Sequence, residues 1–374
     1  MSPVPHIIVG LSGGVDSAVA ALRLKQEGFQ ITGLFMKNWE EEDTTTYCSS
    51  EEDLNDIRAV CDKIKIELLT INFAYEYWQN VFREFLDEYA AGRTPNPDIL
   101  CNQEIKFKCF LDYALKQGAD YIATGHYAKT LPLHNRPSPN YPLLKAKDTE
   151  KDQTYFLYTL GQKQLSKTLF PLGDLTKTQV RYLAKEEGLI NHSKKDSTGI
   201  CFIGERKFKT FLEDFLPAKP GTIQTVEGET IGQHDGLMFY TLGQRQGLKI
   251  GGRKNAALSP WYVVGKNIPN NVLTVAQGKD HPWHYSTQLF ANRTHWVYDI
   301  GPDTQFNCTA KVRYRQQEVP CTVTVSPTGP LEVTFITPQW AVTPGQSIVF
   351  YDKISCLGGA TITQTNSPGG LNVC

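Results

Sequence analysis

Ile7-Ile8-Val9-Gly10-Leu11-Ser12-Gly13-Gly14-Val15-Asp16-Ser17 is the stretch on which the reading of this chain turns. A short apolar run gives way to glycines, and a run compatible with a helix follows from Ser17 to Gln26. Gly28 stands where a helix ending near Gln26 would place its terminating glycine. In the order strand, glycine loop, helix, backbone N–H groups and a helix N-terminus converge on a phosphate. The Ser12 and Ser17 hydroxyls supply further donors. The loop lacks the Gly-Lys-Ser/Thr ending of a Walker A motif and the Gly-x-Gly-x-x-Gly of a dinucleotide fingerprint. A plain strand-to-helix turn is the structural alternative, and the strand–loop–helix context favours phosphate.

Outward from that loop the alternation continues. Ile31–Met36 reads as a second strand and Ile66–Ile71 as a third. Ser50–Lys63 between them reads as a helix whose acidic first turn suits the helix dipole. Tyr77, Val81, Phe85 and Tyr89 recur at helical spacing, and Tyr121-Ile122-Ala123-Thr124 is a further strand. Thr176–Gly188 reads as a helix opened by a Thr176/Gln179 capping box. Repeated βα units of this kind predict an α/β fold, a doubly wound parallel sheet with helices on both faces. Leu131–Pro142, with four prolines, reads as a loop insertion. Near Pro217–Gly221 the character changes. Short alternating runs follow at Thr222–Val226, Trp261–Val264 and Val272–Val275, the last two flanking a Pro269-Asn270-Asn271 turn. Ala310–Tyr314, Cys321–Val325, Leu331–Phe335 and Ser347–Tyr351 continue the pattern, which indicates a sandwich or barrel. The expected domains are an α/β domain carrying the phosphate loop over 1–216, a small β-rich central domain over 217–281 and a C-terminal β-barrel over 282–374.

Composition bounds the rest. At 374 residues the chain is too long for one ordinary core. With 40% hydrophobic and 21% charged residues it has the profile of a soluble protein, and no run approaches the ~18 apolar residues of a membrane span. Met1–His6 lacks the basic and long apolar regions of a signal peptide, so a cytoplasmic location is expected. Nine cysteines, with no Cys-x-x-Cys pair, argue against a disulfide framework or a zinc ribbon, and no metal-ligand set is assigned. A net charge of −1 announces no nucleic-acid partner. The basic run of Lys194, Lys195, Arg206, Lys207 and Lys209 reads, on charge alone, as a solvated face.

Two cysteine loops bear chemistry. In Asn96-Pro97-Asp98-Ile99-Leu100-Cys101-Asn102 the prolines fix an extended approach to a helix. Asp98 reads either as a helix N-cap with Cys101 as a core residue, or as a proton relay beside a thiol activated by the helix dipole. In Lys195-Asp196-Ser197-Thr198-Gly199-Ile200-Cys201-Phe202 a polar run and a glycine can present Cys201 beside lysines that favour a thiolate. A buried cysteine beside Ile200 and Phe202 is the structural alternative.

The loop Ser-Gly-Gly-x-Asp-Ser directly after the first strand resembles that of the adenine-nucleotide α-hydrolase-like enzymes, which transfer AMP from ATP. The resemblance implies that Gly10, Leu11, Ser12, Gly13, Gly14, Val15, Asp16 and Ser17 hold the pyrophosphate with Mg²⁺, and that Met36 and Gly125 contact adenosine. Further motifs narrow it. Phe35–Trp39, Gly92–Asn102, Ala123–Tyr127, Lys151–Leu157, Gly199–Gly204, Thr241–Arg245, Val312–Arg315 and Thr343–Gln346 resemble the pattern of the bacterial tRNA-specific 2-thiouridylase family over nearly the whole chain. That resemblance implies Cys101 as nucleophile, Cys201 as persulfide carrier and Asp98 as general acid/base. It places Asn96, Pro97 and Asp98 against the target base, and His126, Lys151, Asp152, Gln153, Arg313, Tyr314 and Gln346 against tRNA. It further implies a tRNA with a wobble uridine (Lys, Glu and Gln acceptors) and a persulfide donor such as a cysteine desulfurase or a sulfur-relay protein. It also implies that the two thiols come within disulfide reach, their Cα atoms within ~7 Å, in the reactive conformation.

Three alternatives stay open on sequence. One is an amidotransferase-type synthetase using the same ATP loop; another is a nucleotide-binding sensor without turnover. The third is an iron–sulfur cluster ligated by Asp98, Cys101 and Cys201, less favoured because both cysteines have a role without iron.

Overall fold

The computed structural model describes residues 3–39, 49–196, 208–250 and 259–369. Four strands, β1 (His6–Leu11), β2 (Gln30–Lys37), β3 (Glu67–Asn72) and β4 (Tyr121–Ala123), pair in parallel, with two residues of a later strand, Thr168–Leu169, added beside β4. β1 lies centrally, between β2 and β4. Its alternation sends Ile7, Val9 and Leu11 to one face and Ile8 to the other, all buried, as a sheet covered on both sides requires. The first face packs on the helix Val15–Gln26 and on Ile57, Val60 and Cys61 of the helix Ser49–Ile64. The second packs on aromatic residues of two long helical stretches, 74–90 and 97–116, among them Phe82, Phe85, Phe107 and Phe110. Tyr77, Val81, Phe85 and Tyr89 are all buried there, as their spacing predicts.

The helix Val15–Gln26 begins two residues earlier than the sequence suggests, and Gly28 follows it at φ +88°. Thr176 and Gln179 form the expected capping box on Lys177–Glu186. The helix at the first cysteine differs from expectation. Asn96, in extended backbone, holds the cap position, Pro97 is the first helical residue, and Asp98 sits inside the first turn. Proline is pre-organised for that first position, and this moves the cap ahead of Asp98. Leu131–Pro142 is a loop with one short turn of helix, Leu133–Asn135. Arg136 fastens it by donating to the carbonyls of Leu131, Leu165, Ser166 and Thr168.

The loop ends in β5 (Leu143–Leu144), which joins the C-terminal sheet; Thr168–Leu169 is β6. The central sheet contains β7 (Gly221–Thr225), β8 (Thr230–His234), β9 (Trp261–Asn267) and β10 (Val272–Gln277) in the order β8-β7-β10-β9. The C-terminal strands are β11 (Tyr285–Trp296), β12 (Gln305–Lys311), β13 (Val319–Thr324), β14 (Leu331–Trp340), β15 (Ser347–Asp352) and β16 (Ser355–Thr365). Pairing of β11 with β16 closes these six into a barrel, and β5 lies outside the ring against β16. Leu289, Val323, Val333, Ile348, Phe350 and Ile362 fill its interior. Closure leaves the ring without a free edge. β8, β11 and β16 carry weak sequence signals because their alternation is broken by polar residues or glycines.

Candidate functional site

The glycine loop leaves β1 and enters the first helix at the carboxyl end of the parallel sheet, where ligands of such sheets bind. The side chains of Leu11 and Val15 are in the core, so only their backbone faces a ligand. Gly13 adopts φ +75°, and a Cβ there would lie 2.6 Å from the Asp53 carboxylate. A Cβ on Gly125, after β4, would lie 2.7 Å from the Ser17 nitrogen. Gly13 therefore needs glycine on conformational and steric grounds, and Gly125 on steric grounds alone. Ser17 Oγ donates to the Gly14 carbonyl and accepts from the Ser12 N–H. Gly14 caps the helix without a side-chain hydrogen bond, which leaves its first turn to an anion. Met36 is buried at the end of β2, and its methyl lies 3.4 Å from a Cβ built on Gly10. The glycine backbone and the uncapped first turn of the helix suit phosphates. Among the described residues no three His, Cys, Asp or Glu side chains form a metal cluster. Mg²⁺ would therefore be carried by the phosphates themselves, since both Asp16 oxygens are taken by Lys177.

Beside the loop is a charged hub that motif reading does not reveal. Lys177 Nζ contacts both Asp16 oxygens at 2.8 and 2.7 Å and Asp196 Oδ1 at 2.6 Å. Tyr127 donates its hydroxyl to Asp16, and Lys151 and Arg181 also reach Asp196. Burial alone would raise the Asp196 carboxyl, but the hydrogen bonds from Lys151 and Lys177 hold it at about 2. Lys194 binds Asp53 and Asp56, and Asn191 donates to the Gly13 carbonyl. The run read as a solvated face is thus, at Lys194 and Asp196, part of the scaffold of the phosphate loop. The one sequence signal was Lys177 itself, a cation in a helix first turn, where the dipole disfavours it unless carboxylates surround it.

The second element is the helix that starts at Pro97. Cys101 is fully buried in its first turns and Asp98 is half-buried. Directly after Cys101 the helix widens to π geometry over Asn102–Cys109. It meets the phosphate loop, since a Cβ on Gly10 would lie 3.2 Å from Phe110 of the same continuous helix. On its other side a cavity of about 390 Å³ opens against the barrel, with Asn96, Ile99 and Gln103 facing His295, Gly345 and Thr361.

The residues assigned to tRNA by resemblance are engaged within the chain. His126 is buried, bonded to Thr124, with Phe107 beside its ring, and burial holds its pKa well below the usual value. Asp152 accepts from the Ala146 N–H and the Thr154 hydroxyl, and Gln153 from the Tyr127 N–H. Arg313 donates to the carbonyls of Leu242 and Ala341 and to Thr343 Oγ1. Tyr314 packs on Phe156, and its hydroxyl reaches the Lys151 carbonyl. Gln346 donates to the carbonyls of Thr94 and Pro95. Cys201 and the rest of 197–207 lie outside the described residues, and with them the expected approach of Cys101 and Cys201.

The family model described as tRNA methyl transferase HUP domain matches residues 5–205. Those described as tRNA methyl transferase PRC-barrel domain and Aminomethyltransferase beta-barrel domain match 209–277 and 286–362. The protein named tRNA-specific 2-thiouridylase MnmA from Nitrosococcus oceani is 58% identical over 365 residues, 98% of this chain and 98% of that one. The proteins of that name from Pseudoalteromonas translucida and Legionella pneumophila are 57% and 58% identical. They cover 97% and 96% of this chain, and 99% and 98% of their own lengths. The chain belongs to the tRNA-specific 2-thiouridylase MnmA family.

Proposed function

We propose that this tRNA 2-thiouridylase transfers AMP from ATP to the C2 oxygen of a wobble uridine and then replaces that oxygen with sulfur. The observation that supports the reading is that the helical stretch carrying Cys101 runs on to Phe110, whose ring lies against Gly10 at the entry to the glycine loop. A uridine carbonyl oxygen is a poor leaving group. Attack of that oxygen on the α-phosphorus expels pyrophosphate and makes it part of a phosphate ester, which can depart as AMP. The loop amides, Ser12, Ser17 and the first helix turn bind the phosphates, and Mg²⁺ offsets their charge when bound. Asp98 moves the proton beside the base. Cys201 carries the persulfide sulfur, which reaches C2 directly or as hydrosulfide released by Cys101. The Cys101–Cys201 disulfide left behind is reset by a reductant.

Asn96, Pro97 and Asp98 receive the unstacked base. His126, Lys151, Asp152, Gln153, Arg313, Tyr314 and Gln346 lie on or just beneath the surface that receives tRNA, a shape-read contact suited to a chain of near-neutral charge. The acceptors are the Lys, Glu and Gln tRNAs, the donor is a cysteine desulfurase or a sulfur-relay protein, and the reaction is cytoplasmic. The division into 1–216, 217–281 and 282–374 follows the same reading. Among the described residues no helix is long and apolar enough to cross a membrane.

Nucleoside analysis of a tRNA pool incubated with ATP, a desulfurase sulfur source and this protein tests the reading. 2-Thiouridine is expected, and Cys201→Ser should abolish it; full thiolation by that variant would overturn the persulfide scheme. Activity that is lost with iron after anaerobic purification, and restored with it, would replace the persulfide by a cluster.

A further inference from the structure

The segment Gly92-Arg93-Thr94-Pro95-Asn96 leads into the helix that carries Asp98 and Cys101, and it is held from outside its own domain. Lys266, in β9 of the central sheet, is 2% exposed and donates from Nζ to the Gly92 carbonyl at 2.8 Å. Gly92 adopts φ +75°, and a Cβ there would lie 2.3 Å from Ile268 Cδ1, two residues beyond Lys266. Thr94 Oγ1 meets Thr241 Oγ1 at 3.2 Å. The barrel side grips the same residues: the Thr94 N–H donates to the Pro344 carbonyl, and Gln346 donates to the Thr94 carbonyl.

The amine is an expensive group to bury there. An aliphatic side chain would avoid its desolvation. The adjoining void, lined by Gly92, Thr94, Leu242, Lys266, Thr343 and Pro344, is only about 10 Å³, which leaves no room for a ligand beyond one water. Of the charged residues on the adjoining segments, Arg93 is paired with Glu88, and Arg313 donates to Leu242 and Thr343. Among the described residues, what the amine gains in exchange for its hydration is one carbonyl, that of Gly92. Downstream, Pro95 and Pro97 fix φ at two of the next positions, so a shift at Gly92–Thr94 is passed to Asp98 instead of being absorbed.

We propose that Lys266 is a positioning residue for the thiolation reaction: the central domain uses it to set the backbone at Gly92, and through it the placement of Asn96, Asp98 and Cys101. The proposal rests on the function given above and assigns the central domain a part in it. Burial lowers the Lys266 amine to about 7 from its ordinary 10.5. At pH 7 and below its desolvation therefore costs the fold stability in full, and the cost fades as pH rises toward 10.5.

Lys266→Met in the full-length protein is the test. Displacing a reacting group by about 1 Å costs on the order of 100-fold. The turnover number for thiolation should accordingly fall at least about tenfold, with KM for ATP and tRNA within about twofold of wild type. Amide hydrogens of 92–101 should exchange faster while those of β1 and the barrel do not, and melting at pH 7 should be no lower than wild type. Thr241→Val, which removes the neighbouring grip, should loosen the same amides. Unchanged turnover, or unchanged exchange at 92–101, would overturn the proposal. So would a lowered melting temperature with exchange raised throughout, since that marks a purely structural lysine. A wild-type protein that makes no 2-thiouridine would sink the proposed function, and the exchange comparison would still decide the role of Lys266.

Discussion

The two ends of the site are held by opposite means. At the phosphate end, Asp16, Lys177, Asp196, Lys151 and Arg181 form a network of paired charges around a loop of glycines and serines. At the base end, Gly92–Pro95 is held through backbone groups: Lys266, Gln346 and the Pro344 carbonyl bind its carbonyls and a peptide N–H, with Arg313 bracing Leu242, Ala341 and Thr343 behind it. A charge network can exchange partners when a charged ligand arrives. Carbonyls gripped by donors from two other parts of the chain act as a fixed template. Under the proposed function the difference matches two tasks, a polyanion entering and leaving one end while the other keeps a thiol and a carboxylate in register.

Three measurements press on that contrast. The largest effect is expected from Lys177→Met, which leaves Asp16 and Asp196 without their shared cation next to the phosphates. AMP release in the presence of tRNA should fall on the order of 100-fold, with little change in tRNA affinity. Release at the wild-type rate would show that the hub is scaffold only.

Next comes Arg313→Met, which strips donors from two carbonyls and a hydroxyl between the central domain and the barrel. Urea denaturation should show a loss of about 3 kcal/mol. If stability is instead unchanged and tRNA affinity drops, Arg313 belongs to the RNA surface and the template is weaker than drawn here.

The smallest effect concerns acid. Asp196 is lowered from 3.8 to about 2, so its stabilising contribution is complete above 3.8 and is lost as pH falls through about 2. Asp196→Asn should be less stable than wild type at neutral pH, and the gap should close over that acid window. Because the side chain is one-third exposed, the gap will be modest. A gap independent of pH would mean that packing, not charge, holds the hub.

Much of the architecture was legible along the chain. The apolar run before Gly10, the period of Tyr77, Val81, Phe85 and Tyr89, and the Thr176 capping box each record a local rule, and each appears in place. The cap at Asn96 is hidden in the sequence because Asp98 looks like a cap in isolation, while Pro97 takes the first helical position. β11 and β16 were missed, since barrel strands with polar and glycine interruptions lose the two-residue period. The glycine loop was legible as a phosphate site, but its charged hub was not. Asp16 and Lys177 are 161 residues apart, and no local pattern links them.

The sequence by itself determined the elements and the chemistry-bearing residue types, because hydrophobic period, glycine and proline act within a few residues. The tertiary structure alone decided what Arg313, Gln346 and Lys266 touch. Their partners lie between 28 and 252 residues away along the chain, and a buried amine or guanidinium is satisfied by whichever carbonyls the folded domains bring to it.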